Sequence, residues 1–264
     1  MKYCRFENNG VISFGLVESA AGRDAITAII KSPEQGAELQ PKAIAPLPLA
    51  EAKLATPVQP SKIICVGRNY REHAKELGNE VPMEPLIFLK PPSSLMGPGQ
   101  AIVRPAISAR VDHEGELGVV IGKTCRHLRA DEDVRPYILG YTGVNDVTAR
   151  DLQKKDAQWT RGKGFDTFCP VGPIVSSELD PWSGVAVETR VNGELRQQGN
   201  TRDFIFPLNT VLRYISEVMT LLPGDLIATG TPSGVGPLIA GDRVGVLIEG
   251  IPILLNSVKD LSCT

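Results

Sequence analysis

The sequence predicts a mixed, β-rich α+β fold with few helices. Short apolar runs rich in β-branched residues, bounded by glycine, proline or asparagine, recur along most of the 264-residue chain. The 26 glycines and 21 prolines are not gathered in a low-complexity tract, which is typical of a turn-rich β protein. Strands do not alternate regularly with helices, and this argues against a Rossmann fold or a TIM barrel. We therefore expect a rolled or barrel-like mixed sheet.

The first 60 residues predict a small β-rich N-terminal domain that ends in a proline-rich connector. Residues 11–17 predict a strand, whereas residues 25–30 fit either a strand or a short helix. The prolines that mark the extended connector are Pro41, Pro46, Pro48, Pro57 and Pro60. We place the boundary after residue 60, so that residues 61–264 form a second, larger domain.

The larger domain is predicted to contain short strands and three helices. Its expected strands span residues 62–67, 86–90, 111–122, 137–144, 185–191, 226–229, 243–248 and 253–258. The Asn192-Gly193 pair is a strong hairpin signal. Helices are expected over residues 71–77, 150–157 and 208–221. The third helix is the clearest, because one side of it carries Leu208, Val211, Leu212, Ile215, Val218, Met219 and Leu222.

Composition and charge exclude several classes of partner. The net charge of −2 gives no electrostatic footprint for nucleic acid. No apolar run reaches the length of a transmembrane helix, and the N-terminus lacks the apolar core of a signal peptide, so no membrane partner is expected. The five cysteines are widely spaced, with no C-x-x-C pair, which argues against a zinc knuckle and favours a reducing, cytoplasmic setting.

Two glutamates in one apolar run are the strongest functional clue. Glu114 and Glu116 are two residues apart in an expected strand, so their side chains should lie on the same side. Asp146 follows the next apolar run, and three carboxylates at strand ends would suit Mg²⁺, Mn²⁺ or Ca²⁺ rather than zinc. The alternatives are a solvated polar face of an edge strand for the glutamates and a turn or helix cap for Asp146.

A histidine and a glutamate form a second candidate group. His73 and Glu76 are three residues apart on the short helix, where they share a face and could serve as general base and orienter for a water molecule. Their alternative is a weak ion pair on a surface helix. Residues 78–85 are rich in glycine, asparagine and proline and would suit a mobile lid. Strand alternation places His113 on the face opposite the two glutamates, so no catalytic role is assigned to it.

Basic residues and a glycine-rich loop complete the candidates. Arg150, Gln153 and Lys163 follow Asp146 and could offset carboxylate charge or bind an anionic substrate, although ordinary surface charge is the alternative. Residues 228–236 include Gly230 and Thr231 and could hold a small carboxylate through backbone N–H groups and hydroxyls. This loop is not a P-loop, because it lacks Gly-Lys-Ser/Thr, and a plain turn is its alternative.

Several of these motifs, in this order, resemble the fumarylacetoacetate hydrolase family. They are GRNY at residues 67–70 with His73 and Glu76, HEGEL at 113–117, NDVTARDLQ at 145–153, GKGFD at 162–166, VNGE at 191–194 and TGTPSGVG at 229–236. The resemblance covers about residues 61–260 and implies a β-roll of mixed sheet and a homodimer.

The resemblance also implies roles for the candidate residues. It implies Mg²⁺ or Mn²⁺ held by Glu114, Glu116 and Asp146. It places His73 and Glu76 on a lid that activates water. It implies that Lys163, Gln153 and Arg150 contact the substrate or its developing oxyanion, and that Thr231, with the neighbouring backbone of Gly230, holds the substrate carboxylate.

The expected activity is metal-dependent chemistry on a small 2-oxo dicarboxylate through an enolate. The first expectation is C–C bond hydrolysis or decarboxylation, as in an acylpyruvate hydrolase or an oxaloacetate decarboxylase. The alternative is keto–enol tautomerisation or isomerisation, as in an oxaloacetate tautomerase or a 2-hydroxyhepta-2,4-diene-1,7-dioate isomerase. A minor alternative is a non-catalytic, metal-stabilised binding protein.

Overall fold

The computed structural model describes residues 1–20, 22–34, 40–78 and 80–261, and most of its regular structure is β-strand. The strands are β1 (Lys2–Asn8), β2 (Val11–Ala20), β3 (Arg23–Ile30), β4 (Lys42–Pro48), β5 (Leu54–Ala55), β6 (Ile63–Gly67), β7 (Leu86–Lys90), β8 (Leu95–Met96), β9 (Ala101–Arg104), β10 (Val111–His113), β11 (Gly115–Ile121), β12 (Ile138–Asn145), β13 (Thr148–Ala149), β14 (Cys169–Ser176), β15 (Ala186–Val191), β16 (Glu194–Asn200), β17 (Leu226–Ala228), β18 (Gly236–Pro237), β19 (Arg243–Ile248) and β20 (Leu254–Asp260). The α-helices are α1 (Arg71–Glu76), α2 (Arg150–Lys155), α3 (Thr160–Lys163) and α4 (Leu208–Val218).

Three sheets organise these strands. The largest runs in the order β4-β3-β2-β1-β14-β12-β11-β17-β6-β7, with β5 beside β1 and β8 beside β14. A second sheet has the order β16-β15-β19-β20-β9, and a third the order β13-β10-β18. Most pairs are antiparallel, but β17–β6, β14–β8 and β20–β9 are parallel. The predicted mixed β-rich class with few helices is therefore confirmed.

The main core lies between the largest sheet and the five-stranded sheet. Apolar side chains of β11, among them Leu117 and Val119, belong to the same buried cluster as Val187 of β15 and Val246 of β19. Every residue of β11 is buried, because β12 and β17 pair with its two edges and the second sheet covers one of its faces. The two predicted carboxylate positions on this run therefore lie deep in the molecule.

Helix α4 packs on this core but is shorter than the sequence pattern predicts. Leu208, Val211, Leu212 and Ile215 are buried, as expected for the apolar side of the helix. The helix ends at Val218, which is 60% exposed, because the backbone becomes extended at Met219. The predicted end at residue 221 is thus wrong by three residues. Of the helices in the described part of the chain, none has the length and apolar composition that crossing a membrane requires.

The first 60 residues are continuous with the largest sheet. Residues 25–30 form part of β3, which resolves the alternative between strand and helix. The proline-rich stretch is not only a connector, because residues 42–48 form β4 and pair with β3. Strand β1 pairs with β14, with Lys2 opposite Ser176. The division at residue 60 into two domains stays a prediction.

The predicted hairpin is present at the end of β15. Asn192 and Gly193 have φ values of 54° and 87°, and they join Val191 to Glu194, which face each other across the β15–β16 pair. Two successive positive φ angles give the tight turn whose twist matches that of the flanking strands.

Candidate active site

Three buried carboxylates converge where β11 and β12 meet. Glu114 lies between β10 and β11, Glu116 is the second residue of β11, and Asp146 follows β12. Strand pairing places Gly115 opposite Asn145, and the Asp146 N–H donates to the Glu114 carbonyl at 2.8 Å. One oxygen from each carboxylate lies within 4.8 Å of the others. All three side chains are buried, so the alternative of a solvated edge strand does not apply.

Two of the carboxylates are surrounded by cations. Arg150 Nη2 donates to Glu114 Oε1 at 2.5 Å, and Lys163 Nζ donates to Glu114 Oε2 at 2.8 Å. Lys163 also reaches Asp146 Oδ2 at 2.5 Å, and Lys90 reaches Asp146 Oδ1 at the same distance. Burial alone would raise the pKa of Glu114, but the charges of Lys163 and Arg150 outweigh it and hold this pKa well below its usual range.

Glu116 is compensated less, because only the charge of Lys163 and one backbone N–H lower its pKa. The Gly230 N–H donates to Glu116 Oε2 at 2.8 Å, and within the described ranges no cationic side chain forms an ion pair with this carboxylate. Burial raises the pKa of Glu116 well above its ordinary value, and the neighbouring charges of Asp146 and Glu114 raise it further. A buried carboxylate beside two others, without a cation of its own, fits the all-oxygen donor set that hard divalent cations prefer. The residues present therefore fit a divalent metal ion.

An alternating series of charges runs from the protein surface to this group. Arg110 is bidentate to Asp112, through Nε at 2.8 Å and Nη2 at 3.1 Å, and Asp112 also accepts from Arg150 Nε at 3.0 Å. The series then continues through Glu114, Lys163 and Asp146 to Lys90. Because Asp112 is fully buried between two guanidinium groups, it fixes the position of Arg150.

The sequence reasoning missed Asp112 and Lys90. Asp112 precedes Glu114 by two residues, so the same strand alternation that paired the glutamates could have included it. Lys90 ends an apolar strand, and a charged residue in such a run was the available signal. Neither signal identifies the buried partner, because Arg150 is 38 residues from Asp112 and Asp146 is 56 residues from Lys90.

His73 and Glu76 lie on α1 and line the same cavity. His73 is buried, and its Nδ1 lies 3.3 Å from Glu76 Oε2. The Gly234 N–H donates to both oxygens of Glu76, at 3.0 and 3.2 Å, which joins α1 to the glycine-rich loop. The pair is therefore only partly at the surface, because His73 is enclosed whereas Glu76 is exposed. The mobility of residues 78–85 stays a prediction, and Asn79 lies outside the described residues.

The glycine-rich loop is fixed by buried polar contacts. The Thr231 hydroxyl donates to the Gly115 carbonyl at 2.9 Å, and Gln197 Nε2 donates to Thr231 Oγ1 at 2.7 Å. The Gly230 N–H is engaged by Glu116, so it binds a protein carboxylate in this structure. Gln197 also accepts from the Gly115 N–H at 2.9 Å and contacts His113 Nδ1, and sequence reasoning did not foresee this glutamine.

These groups surround one cavity of about 480 Å³. The sequence-predicted residues that line it are His73, Glu76, Glu114, Glu116, Asp146, Arg150, Gln153, Lys163 and Thr231. Gly230 contributes through its contact with Glu116 and is not part of the lining. Gln153 Oε1 accepts from Arg150 Nη1 at 2.8 Å, which places both substrate-binding candidates on one side of α2. The arrangement combines three potential metal ligands, two fixed cations and a histidine–carboxylate pair.

Comparison with known families identifies two matching regions. Residues 62–259 match the model described as fumarylacetoacetate (FAA) hydrolase C-terminal. Residues 1–57 match the model described as Rv2993c-like, N-terminal.

Individual relatives agree with these matches. Oxaloacetate tautomerase YisK of Bacillus subtilis is 45% identical over 224 residues, which cover 80% of this chain and 74% of that protein. The mitochondrial oxaloacetate tautomerase Fahd2a of Rattus norvegicus is 41% identical, with coverage of 80% and 71%. Among solved structures, 2-hydroxyhepta-2,4-diene-1,7-dioate isomerase from Mycobacterium marinum is 41% identical and superposes with a TM-score of 0.88 over the whole of both chains.

Proposed function

This chain belongs to the fumarylacetoacetate hydrolase family of enzymes, and from that premise we propose that it is a divalent-metal-dependent tautomerase or isomerase of a small 2-oxo dicarboxylate. The observation that carries the proposal is the buried carboxylate group in which Glu116 forms no ion pair with any cation among the described residues. Oxaloacetate is the substrate to test first, because two relatives at 41% identity or more are oxaloacetate tautomerases.

The metal ligands would be Glu114, Glu116 and Asp146, and the ion would be Mg²⁺ or Mn²⁺, with Ca²⁺ less suited to a compact site. When bound, the ion would supply Lewis-acid chemistry that makes the carbon beside a 2-oxo group more acidic. Lys163 and Arg150 would offset the negative charge that develops on the substrate oxygens. Their positions are set in advance by the ion pairs with Glu114 and Asp112, so little reorganisation is needed during the reaction.

The histidine–glutamate pair would move the proton. If neutral His73 donates from Nδ1 to Glu76, its Nε2 carries the lone pair that can accept a proton. In tautomerisation a proton leaves C3 of the keto acid and a proton reaches the 2-oxo oxygen, so the reaction needs no attacking water. Glu76 would stabilise the imidazolium while it holds the proton.

The test is the interconversion of the enol and keto forms of oxaloacetate, followed by the absorbance of the enol with Mg²⁺ or Mn²⁺ and with a chelator. We expect turnover to require the metal and Glu116→Ala to abolish both turnover and metal binding. Exposed Glu217→Ala, which makes the same chemical change far from the cavity, should retain both. Full activity of Glu116→Ala after chelator dialysis would contradict the metal mechanism.

Hydrolysis of an acylpyruvate is the second candidate, because buried His73 and exposed Glu76 could together also activate a water molecule. His73→Ala should then reduce hydrolysis more than decarboxylation, which needs no attacking water. Equal losses in the two reactions would count against water activation. No turnover on oxaloacetate, acylpyruvates or hydroxydienoates, with metal binding intact, would favour a binding protein instead.

The family resemblance also supports a homodimer. Light scattering coupled to size-exclusion chromatography should then give about twice the chain mass of 28.4 kDa. A single chain mass at working concentration would contradict this part of the proposal.

A further inference from the structure

The charged side chains that line the candidate cavity differ in burial. The three potential metal ligands lie at its buried end, where each is almost completely enclosed. Three other cationic side chains line the same cavity at more exposed positions: Arg68, which is half-buried, and Arg110 and Lys154, which are exposed. A substrate that enters this cavity therefore passes a rim that carries these cations together with the exposed carboxylate of Glu76 before it reaches the buried carboxylates.

Two of these rim cations have no protein counter-charge. Arg110 is engaged bidentately by Asp112. The cations at the buried end, Arg150 and Lys163, are engaged by the carboxylates already described. Arg68 and Lys154, in contrast, form no ion pair with any carboxylate in the described part of the chain. Two positive charges without a carboxylate partner, both lining one cavity, would attract a negatively charged group of its ligand.

The backbone of Arg68 is held in an unfavourable conformation by its neighbour. Arg68 has a φ of 56°, in the left-handed region that residues other than glycine rarely adopt. Asn69 imposes it: its side chain is fully buried, donates to the Thr229 carbonyl at 2.8 Å and the Phe206 carbonyl at 3.2 Å, and accepts from the Phe206 N–H at 2.8 Å. Such strain persists where the surrounding structure fixes it, and it is frequent at functional sites.

We propose that Arg68, assisted by Lys154, binds the second carboxylate of the substrate and so selects dicarboxylates over monocarboxylates. This rests on the proposed function, in which the 2-oxo acid head of the substrate lies against the buried carboxylates. A cavity of about 480 Å³ leaves room beyond that head for a carbon chain that carries a terminal carboxylate. A guanidinium is the side chain best shaped to receive it, because it can donate two parallel hydrogen bonds to one carboxylate.

The test compares two ligands that differ only in the terminal group. Binding of 2-oxoglutarate and of 2-oxopentanoate to the Mg²⁺-loaded protein is measured by titration calorimetry, without turnover. The wild-type protein should bind 2-oxoglutarate more tightly than 2-oxopentanoate. Arg68→Gln should lower the affinity for 2-oxoglutarate by about tenfold or more and leave the affinity for 2-oxopentanoate unchanged. Lys154→Gln should have a smaller effect, and Arg68→Lys should restore part of the preference because it keeps the charge.

Arg71→Gln is the matched control. It removes the same charge three residues away, at an exposed position of α1 outside the cavity lining, and should leave both affinities unchanged. A preference that survives in Arg68→Gln, or equal weakening of both ligands, would overturn the proposal. A wild-type preference that disappears in Arg68→Gln would support it even if the enzyme failed to turn over oxaloacetate, which would contradict the proposed function alone.

Discussion

Glu114 and Glu116 have the same side chain but opposite electrostatic surroundings. Glu114 lies between Arg150 and Lys163, so its charged form is stabilised in the folded protein. Glu116 receives one backbone N–H and faces two other carboxylates, so its charged form is destabilised until a cation is supplied. The two pKa values are therefore shifted in opposite directions, and the two residues affect stability in different pH ranges.

The metal-free protein should become less stable as the pH rises above about 4.5. The folded-state pKa of Glu116 is raised above its ordinary value of 4.5, so between these two values the folded state binds more protons than the unfolded state. The contribution of Glu116 is the free energy of unfolding of the wild type minus that of Glu116→Gln. This difference should fall by at most about 1.4 kcal/mol per pH unit in this range. The depressed pKa of Glu114 acts only below 4.5.

Urea unfolding at several pH values, with chelator and with saturating Mg²⁺, measures this contribution of Glu116 to the free energy of unfolding. Saturating Mg²⁺ should remove the difference in slope between wild type and Glu116→Gln, because the ion stabilises the ionised carboxylate. If the free energies of unfolding of the two metal-free proteins changed in parallel with pH, the pKa of Glu116 would be the same in the folded and unfolded states. That result would contradict the expectation.

Lys90 should influence metal affinity without contacting the metal. It is fully buried, and its ammonium fixes Asp146 through Oδ1 while also donating to the Val147 carbonyl at 3.1 Å. Loss of a residue that orients a metal ligand typically costs about 10–100-fold in affinity, and we expect a loss of this size for Lys90→Met. Calorimetric titration with Mg²⁺ measures it, with exposed Lys123→Met as the control. An unchanged Mg²⁺ affinity in Lys90→Met would mean that this lysine contributes to folding stability and not to metal binding.

At the level of elements, β11 and β15 approach each other closely between the two proposed metal ligands Glu114 and Glu116. Gly115 separates Glu114 from Glu116, and a Cβ atom at this position would lie 2.0 Å from Thr189 Oγ1 and 3.3 Å from Val246 Cγ2. There is therefore no room for a side chain unless β15 yields. The glycine is required here by close packing of the two sheets and not by its own φ angle.

Gly115→Ala should consequently displace the two glutamates and weaken Mg²⁺ binding. Overpacking of this kind costs about 1–3 kcal/mol of stability. Because the closest obstacle is the Thr189 hydroxyl, the double variant Gly115→Ala/Thr189→Ala should recover part of both the stability and the affinity. Thermal unfolding and metal titration of the single and double variants test this. No recovery in the double variant would place the obstruction at the atoms that remain, Thr189 Cβ and Val246 Cγ2.

The sequence patterns predicted about half of the strands and three of the helices, and these elements depend on local signals. Alternation and β-branched runs are sufficient for β19, whose predicted and observed bounds agree, and Asn-Gly is sufficient for the β15–β16 turn. The end of α4 depends on tertiary packing instead: Val218 continues the apolar period, but no core residue covers it. For the same reason β4 was missed, since its residues are mostly exposed and contain prolines.

For the whole molecule, the role of the first 60 residues can be tested directly. Strand β1 covers one edge of β14, and Tyr3 of β1 packs in the same cluster as Val171 and Val175. A chain that begins at residue 61 would expose this edge and this apolar surface. We expect it to aggregate or to unfold at a clearly lower temperature than the full chain, as followed by light scattering and thermal unfolding. A monodisperse, equally stable fragment would support the domain division at residue 60 and contradict this expectation.

Contacts in the candidate site between residues close in sequence were predictable, whereas contacts between distant residues were not. Glu114 and Glu116 are neighbours in sequence, so strand geometry alone pairs them. Lys90 and Asp146 are 56 residues apart, and their contact requires the order of strands in the largest sheet. Local patterns identify chemical groups, but the pairing of those groups is a property of the complete topology.

The loop at residues 229–236 has a kinetic consequence. Its Gly230 N–H holds Glu116, and its Gly234 N–H holds Glu76 at the end of α1. One short segment therefore connects α1, which lines the cavity, to a proposed metal ligand. Movement of α1 away from the cavity would pull on the same loop that keeps Glu116 in place. Exchange of the ion with solvent should then be slow while the cavity is covered and fast each time it opens, so that the residence time of the metal reports the opening rate.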